Sequence, residues 1–411
     1  MRAMKDSGIA WIGEIPADWT KTRIGNLFRF SSGDSLTNEE IQDEGLYKVY
    51  GANGPRGYYH HSNLAGKHIL IGRVGALCGN VHVVNEAVWA TEHALIAEQI
   101  SSNIYTDFAA RVFESMNLGQ YSKASAQPVI ASSVVQRLQI PIPPFSEQHR
   151  IADYLDRKCS QIDAIIARQQ EVIEKLKAYK LSVITEAVTK GLNPHAPMKD
   201  SGVEWIGEIP EHWEVRKAAF ICDRLVVGVV IKPAEYFDDK GTIPFLRGIN
   251  LKEYSINTDN LVYITDETNK MLSKSIVRSG DILIVRDGNI GVACVVPPFL
   301  DGANVVSMII MTPMKRYNSC YICYFINSSI GKLQFELTKI GSALTHTSVS
   351  AVSKLRLAIP PEEEQNKIVE FLDEKCSSIE MLISKKQVIV DNLIAYKKSL
   401  IYEVVTGKKE V

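Results

Sequence analysis

Few residues in this chain of 411 have types and spacings that could do chemistry. Cys320 and Cys323 form a C-x-x-C pair, which is typical of zinc and redox sites, but no second pair completes it. The run at 238–240 (Asp-Asp-Lys) imitates part of a nuclease metal site, yet no Pro-Asp pair precedes it, so we interpret it as a solvated turn. The sequence has neither a G-x-x-x-x-G-K-[ST] loop nor a G-x-G-x-x-G run before a helix, which argues against nucleotide binding.

Two Pro-Pro-Phe runs match the end of the tetrapeptide with which amino-methyltransferases hold a target amine. That tetrapeptide begins with Asn, Asp or Ser, whose polar group binds the amine, whereas Ile142 and Val296 stand in that position here. The nine histidines are dispersed and show no ligand spacing with carboxylates or cysteines. We therefore predict that this chain has no catalytic site, no metal site and no cofactor of its own.

The dominant feature of the sequence is an internal repeat, which would position whatever the chain carries. Residues 5–19 are KDSGIAWIGEIPADW and residues 199–213 are KDSGVEWIGEIPEHW, identical at eleven of fifteen positions and 194 residues later. The block IPPFSEQ at 142–148 recurs as IPPEEEQ at 359–365, which is 217 residues later. Since the two offsets differ by 23 residues, the repeated frame is kept while the inserts between its blocks differ in length.

Each Ile-Pro-Pro block opens a long run with the period of a coiled coil. Apolar residues alternate at spacings of four and three for about four heptads, from about residue 146 to 190 and from 363 to 406. Gly191 and Gly407 follow the two runs, as glycine often follows a helix. Because the two helices are copies, we expect them to pair antiparallel within the chain about a pseudo-twofold axis. The residues predicted to pair are Leu155, Cys159, Ile162, Ile166, Ile173 and Leu176 with Leu372, Cys376, Ile379, Ile383, Val390 and Leu393.

The repeated Trp-Ile-Gly-Glu-Ile-Pro segment lacks a helical rhythm, and the residue before Pro16 is biased towards extended backbone. An isolated loop would leave Trp11 and Trp19 exposed, so we predict that each copy is a hook that pins a domain to a helix end. The inserts share only sparse landmarks: VYGAN with LRGIN, and HILIGRVG with DILIVRDG. Short apolar runs bounded by Gly, Asn and Pro predict a mixed α/β domain in each insert.

The composition, with 45% apolar and 23% charged residues, is that of ordinary globular proteins. Without an N-terminal signal pattern or an apolar run near 18 residues, we expect a cytoplasmic protein that does not contact a membrane. The net charge of −1 is unlike that of a protein that binds nucleic acid by charge alone. The net charge neither favours nor excludes a protein that recognises a nucleic-acid sequence together with a partner.

Taken together, these motifs resemble the specificity subunits of type I restriction–modification systems. The resemblance rests on the two SG-[IV]-x-WIGEIPxxW copies, the two IPP…EQ blocks and the two unlike inserts, and it covers essentially the whole chain. It implies an α/β (α+β) fold with two mixed α/β target recognition domains, separated by two long antiparallel helices that form an intramolecular coiled coil. The predicted segments are 1–141 (hook and first recognition domain), 142–192 (first spacer helix), 193–213 (linker and second hook), 214–358 (second recognition domain) and 359–411 (second spacer helix).

The resemblance further implies a non-catalytic protein whose two domains each recognise one half of a bipartite, asymmetric sequence in double-stranded DNA. The paired helices would set the length of the unread spacer and would dock two modification subunits. Those partners methylate adenine, which must be swung out of the duplex to be reached. A restriction subunit, where present, would add ATP-driven translocation. S-adenosylmethionine, ATP and Mg²⁺ are therefore expected on the partner subunits.

Recognition of bases requires polar side chains on loops that a rigid core holds in place. Arg73 and Arg286 recur in both inserts, which favours phosphate contact or a role in folding, because the two targets differ. The candidate DNA-binding residues are Asn53, Arg56, Arg73, Asn80, Lys123, Ser125 and Gln127 in the first insert and Arg247, Asn250, Arg286, Asn289, Thr345, His346 and Ser348 in the second.

Two other hypotheses remain open from the sequence. A methyltransferase or nuclease in its own right predicts that the isolated chain binds S-adenosylmethionine or a metal ion. A coiled-coil scaffold without a DNA role predicts that the chain and its partners modify no specific sequence.

Overall fold

The chain forms two compact units in this computed structural model. The first unit comprises residues 1–170 and 387–411, and the second comprises residues 171–386. Both long helices therefore contribute residues to both units. The structure describes residues 2–122, 128–230, 232–339 and 346–411.

The first unit contains a hook hairpin, an insert and the beginning of one long helix. Its strands are β1 (Met4–Ile9), β2 (Gly13–Pro16), β3 (Thr20–Arg23), β4 (Phe28–Ser32), β5 (Tyr47–Gly51), β6 (Gly54–Tyr59), β7 (His68–Gly72), β8 (Val81–Val84), β9 (Val88–Ala90), β10 (Ala94–Gln99) and β11 (Gln139–Ile142). Its helices are α1 (Thr106–Ser115), α2 (Ser132–Arg137) and the first part of α3 (Phe145–Lys190).

The second unit repeats this order and adds further elements. Its strands are β12 (Met198–Asp200), β13 (Glu208–Pro210), β14 (Glu214–Lys217), β15 (Cys222–Val227), β16 (Ile243–Leu246), β17 (Leu251–Lys252), β18 (Ser255–Ile256), β19 (Val262–Ile264), β20 (Ile282–Val285), β21 (Ala293–Val295), β22 (Asn304–Val305), β23 (Met308–Pro313) and β24 (Arg356–Ile359). Its helices are α4 (Asp266–Met271), α5 (Ser319–Asn327), α6 (Ser329–Lys339), α7 (Val349–Ser353) and the first part of α8 (Glu362–Val405).

The two inserts have the same sheet topology, although their sequences share few landmarks. A four-stranded sheet has the order β4-β10-β7-β8 in the first insert and β15-β23-β20-β21 in the second. A three-stranded sheet has the order β6-β5-β9 in the first and β19-β16-β22 in the second, with one parallel pair in each. The mixed α/β fold predicted for both inserts is confirmed. The hairpin β17-β18 and helices α4 and α6 of the second insert have no counterpart in the described part of the first insert. They contribute to the greater length of the second insert.

In each four-stranded sheet one of the two central strands, β7 in the first insert and β20 in the second, is buried on both faces. Side chains alternate across a strand, so Ile69 and Ile71 in β7 face the core with the hook and α1, while Leu70 packs towards β9. In the second unit, Ile282 and Ile284 face the hook and α5, while Leu283 packs with Leu246. Continuous apolar runs are typical of strands buried in this way, which explains why HILIG and DILIV stand out in the sequence.

Helices α3 and α8 have 46 and 44 residues and begin and end close to the predicted positions. Gly191 and Gly407 follow them with φ of +74° and +71°, a conformation that glycine adopts without steric cost. All the residues predicted to pair are buried or half-buried, whereas most of their neighbours on each helix are exposed. In the first unit Lys397 of α8 forms an ion pair of 2.7 Å with Asp163 of α3, so the two helices are in contact there.

The hooks explain the direction of this pairing within each unit. In the first unit Trp19 donates from Nε1 to Glu147 at the start of α3 (3.0 Å), and a Cβ placed on Gly407, just past α8, would lie 3.1 Å from the same indole. In the second unit Trp213 donates to Glu364 at the start of α8 (3.1 Å), and Gly191, just past α3, lies against it. Each hook therefore joins the start of one helix to the end of the other, which requires antiparallel helices.

The Glu-Gln pair of each repeated block has a divided role. While the glutamate binds the hook, Gln148 binds the insert, because it accepts a hydrogen bond from Tyr105 N (2.7 Å) just before α1 and donates one to Asn103 O (3.0 Å). Gln365 likewise accepts from Asn318 N (2.8 Å) just before α5. Both glutamines are buried. The repeated residues thus fix each insert to its helix in the same way in both units.

Candidate nucleic-acid interface

The loops at one edge of the first insert are tied together by backbone hydrogen bonds. Arg73 N, after β7, donates to His93 O (2.8 Å), and Thr91 N donates to Tyr50 O in β5 (2.9 Å). Ile130 N, before α2, donates to Arg73 O (2.9 Å). The topology brings these loops together because β4 and β7 end beside the start of β10, and β5 runs parallel to β9. We name this set the first loop edge: residues 32–34, 51–54, 73–80, 90–93 and 128–131.

The second insert has an equivalent set of loops. Val306 N donates to Leu246 O (2.8 Å), and Ser307 N donates to Val229 O (2.9 Å). Thr347 N donates to Arg286 O (3.0 Å), as Ile130 does to Arg73 in the first insert. We name this set the second loop edge: residues 228–230, 246–250, 286–289, 305–307 and 346–348. Each edge combines segments that are distant in sequence on a rigid sheet, which is the arrangement that base recognition requires.

The structure brings most of the described candidates of the first insert together at its loop edge. Asn80 donates from Nδ2 to Asn53 Oδ1 (2.9 Å), and both side chains are exposed. Arg73 is half-buried and donates from Nη1 to Ser32 Oγ (2.9 Å). Arg56 lies in β6, is exposed, and donates to Asn38 Oδ1 (2.7 Å). Lys123, Ser125 and Gln127 lie outside the described residues.

The second loop edge contains Arg247, Arg286 and Asn289, of which Asn289 is exposed and the two arginines are half-buried. His346 forms an isolated β-bridge with Asp287. Ser348 is exposed and caps α7, where its hydroxyl accepts from Ala351 N (3.1 Å). Thr345 lies outside the described residues. DNA contact by the described residues of both edges stays a prediction.

Asn250 requires a correction. Its side chain is only 2% exposed, its Oδ1 accepts from Arg247 N (3.0 Å), and its Nδ2 donates to Asn257 O (3.2 Å). An amide that is buried and bonded within the protein cannot reach a base edge without breaking those bonds. Asn250 therefore shapes the loop, and the sequence reasoning was wrong to place it among the DNA contacts, because a loop asparagine looks the same in sequence whether it points inward or outward.

Three arginines at the loop edges have unused donors. The Nε atoms of Arg73, Arg247 and Arg286 are buried and have no hydrogen-bond partner within the described residues. A guanidinium stays charged at physiological pH and presents five donors in a planar fork. A buried donor without a partner is costly, and because these Nε atoms are themselves buried, any contact with DNA would be made by the other nitrogens of the guanidinium groups. Whether Arg73 and Arg286, which recur in both inserts, contact phosphate or serve in folding stays a prediction.

Several loop-edge residues were not selected from the sequence. His93 and Thr91 lie in the first loop edge, and Asp287 accepts a hydrogen bond from Ser307 Oγ (2.8 Å) in the second. Ser307 has a φ of +49°, which is uncommon for a residue other than glycine and marks a sharply turned backbone. Nothing in the local sequence distinguishes these residues, because their proximity depends on strand pairing between distant segments.

The possible metal and redox sites gain no support from the structure. Cys323 is buried in α5, and burial raises the pKa of its thiol well above the usual range. A high pKa disfavours the thiolate that metal binding and disulfide exchange require. Among the described residues, no three or more His, Cys, Asp or Glu side chains are grouped so that they could hold a metal ion. In the same part of the chain, no helix is long and apolar enough to span a membrane.

The structure defines a class of internally duplicated proteins, in which two α/β inserts of one sheet topology are held by a repeated frame of hooks and long helices. Comparison with known proteins identifies the family. The family model described as type I restriction modification DNA specificity domain matches residues 16–175 and 210–389, which together make up most of the chain. The chain belongs to this family. Each match covers one insert and part of the helix that follows it, so the chain carries two DNA specificity domains.

Individual relatives agree with this assignment. The type I restriction enzyme EcoprrI specificity subunit of Escherichia coli is 36% identical over 148 residues, which are 35% of this chain and only 37% of that relative. The type I restriction enzyme MjaVIII specificity subunit of Methanocaldococcus jannaschii is 22% identical over 424 aligned residues, covering 97% of this chain and 94% of that one. A solved chain from a study of complex assembly and conformational transition of the type I R-M system has a TM-score of 0.71 at 15% identity, covering 96% of this chain and 99% of that one, and it shows the shared fold.

Proposed function

We propose that this chain is a non-catalytic subunit that recognises a bipartite, asymmetric DNA target, with one half bound at each loop edge. The observation that carries the proposal is that two inserts of identical topology present different side chains at equivalent positions. Tyr50 and Ala52 in the first insert stand where Arg247 and Ile249 stand in the second. Because the frame is repeated and the side chains at these positions are not, the two edges suit two different half-sites.

The proposal includes two modification subunits as partners, with S-adenosylmethionine, ATP and Mg²⁺ bound by partner subunits. The long helices support a docking role because several large apolar side chains on them are exposed. Ile165 and Tyr396 are exposed in the first unit, and Tyr179 and Leu382 in the second. Exposed apolar groups that recur along a helix commonly mark an interaction surface. The methylation of adenine would occur on a partner, with this chain supplying the sequence specificity.

Methylome sequencing tests the proposed function directly. We expect a host that expresses this chain with its modification subunit to methylate adenines in a motif of two defined parts around an undefined spacer. The matched control is the modification subunit expressed alone, which should leave that motif unmethylated. A single continuous motif would contradict two independent recognition domains. Tight binding of S-adenosylmethionine to the isolated chain, measured by calorimetry, would favour an enzyme instead.

We also propose that the length of the helix pair sets the length of the unread spacer. Deleting residues 167–173 from α3 and 387–393 from α8 removes one heptad from each, which preserves the apolar seam and shortens each helix by about 10 Å. We expect a motif with the same two halves and a spacer shorter by about three base pairs, at about 3.4 Å per pair. Removing four residues, about one helical turn, from both helices should likewise shorten the spacer, by about one or two base pairs. An unchanged spacer with full methylation would contradict this role.

A further inference from the structure

Ile249 is an exposed apolar residue at the second loop edge. Its side chain is 74% exposed, directly after Arg247 and Gly248. Single exposed apolar residues are common on protein surfaces and need no explanation by themselves. What distinguishes Ile249 is the combination of its position, its rigid support and the arginines beside it.

The backbone that carries Ile249 is firmly held. Residues 248–250 form one helical turn that begins beside Val285 at the end of β20. The buried Asn250 holds this turn through its side chain, as described above, and its carbonyl oxygen accepts from Asn257 N (2.7 Å). Because the turn is fixed by satisfied hydrogen bonds, the isoleucine side chain is presented to solvent in a defined place.

The chemistry of the position restricts what Ile249 can contact. Isoleucine has no polar group, so it gains nothing from a phosphate or from the donors and acceptors of a base edge. The apolar group that a DNA major groove offers is the C5-methyl group of thymine. The aligned residue in the first insert is the smaller, half-buried Ala52, so the two inserts present different apolar surfaces at this point.

We propose that Ile249 is a specificity-determining residue that packs against the methyl group of a thymine in the half-site recognised by the second insert. This inference rests on the proposed function. Arg247 and Arg286 lie half-buried at the same loop edge, and their charged guanidinium groups are suited to position the duplex by its phosphates. Ile249 would then contribute discrimination, while the arginines contribute affinity.

Replacement of thymine by uracil tests the contact, since it removes only the methyl group. The full chain, assembled with its modification subunits, would be titrated with duplexes of its own target that carry uracil at each thymine of that half-site in turn. We expect one uracil to weaken binding about fourfold, the effect of losing one buried methyl group. In Ile249→Ala, the thymine and uracil duplexes should bind equally.

Phe299→Ala is the matched control. Phe299 is 71% exposed in the same unit. It follows β21, whose end pairs with the start of β20, whereas Arg286 follows the end of β20, so Phe299 lies away from the second loop edge. This variant should keep the wild-type preference for thymine. The inference would be overturned if no uracil substitution in that half-site weakened binding. It would also be overturned if the Ile249→Ala protein still bound the thymine duplex more tightly than the uracil duplex. A wild-type complex without any bipartite target would instead contradict the proposed function, so the two failures are distinguishable.

Discussion

Exchange of residues 20–141 for the equivalent insert of another specificity subunit is expected to change one half of the methylated motif and to leave the other half unchanged. The insert begins and ends at one antiparallel ribbon, in which Thr20 pairs with Ile142 and Arg23 with Gln139. Its junctions are therefore adjacent, and the hook and the long helix lie outside them. The exchange replaces the whole first loop edge but keeps Glu147 and Gln148.

The effect should be large because each mismatched base pair typically costs about 1–3 kcal/mol. Three changed pairs would thus reduce binding to the original target by at least about a hundredfold. Methylome sequencing of the exchanged protein measures both halves at once. The reciprocal exchange of residues 214–358, whose ends pair in β14 and β24, is the control and should change the opposite half. If both halves changed in either exchange, the two inserts would not recognise DNA independently.

Trp19→Ala is expected to destabilise the first unit by about 3–5 kcal/mol, the usual cost of truncating a large buried aromatic side chain. The Trp19 side chain is fully buried, and the loss of its Nε1 donor would leave Glu147 without one of its hydrogen-bond partners. Urea unfolding followed by circular dichroism measures the loss. Leu46→Ala is the control in the same unit, because Leu46 is 80% exposed and its truncation should change stability little. Equal stability of the two variants would show that the hook does not hold the fold.

The hook of the first unit also has a predictable response to acid. A hydrogen bond from Arg2 lowers the pKa of Glu147 from its ordinary value of 4.5, and the hydrogen bond from Trp19 acts in the same direction, whereas burial opposes both. A carboxyl group with a lowered pKa in the folded state stabilises that state above its unfolded pKa and loses the contribution as the pH falls. The stability advantage of the wild type over Glu147→Gln should therefore be present near neutral pH and shrink below about pH 4.5.

The frame of the protein was predictable because its signals are local. The heptad spacing from Leu155 onward and the glycines at 191 and 407 depend on residues within a few turns of one another, and the helices end where these signals indicate. The burial of Trp19 and Trp213 could be expected because a hook that packed against nothing would leave two tryptophans exposed to water. The repeat itself indicated which residues belong to the frame.

The contents of each loop edge were not predictable to the same degree. Asn250 and Asn289 are both loop asparagines in sequence, yet one is buried in its turn and the other is exposed. Ile249 did not stand out, because an isoleucine in a loop suggests core rather than exposure. Ile249 is exposed because it lies in the turn 248–250, which the buried Asn250 side chain holds in place. Asn250 does so partly through a hydrogen bond to Asn257 O, seven residues further along the chain.

The sequence by itself determined that this protein has two copies of one frame, two long antiparallel helices and two different inserts, because repetition and period are properties of the chain alone. Only the tertiary structure decided that the inserts share one topology and that loops from five segments meet at one edge of each. The physical reason is that β5 pairs with β9, and β16 with β22, across some 40 to 60 residues. Such pairings depend on the burial of both sheets together, so no local pattern specifies them.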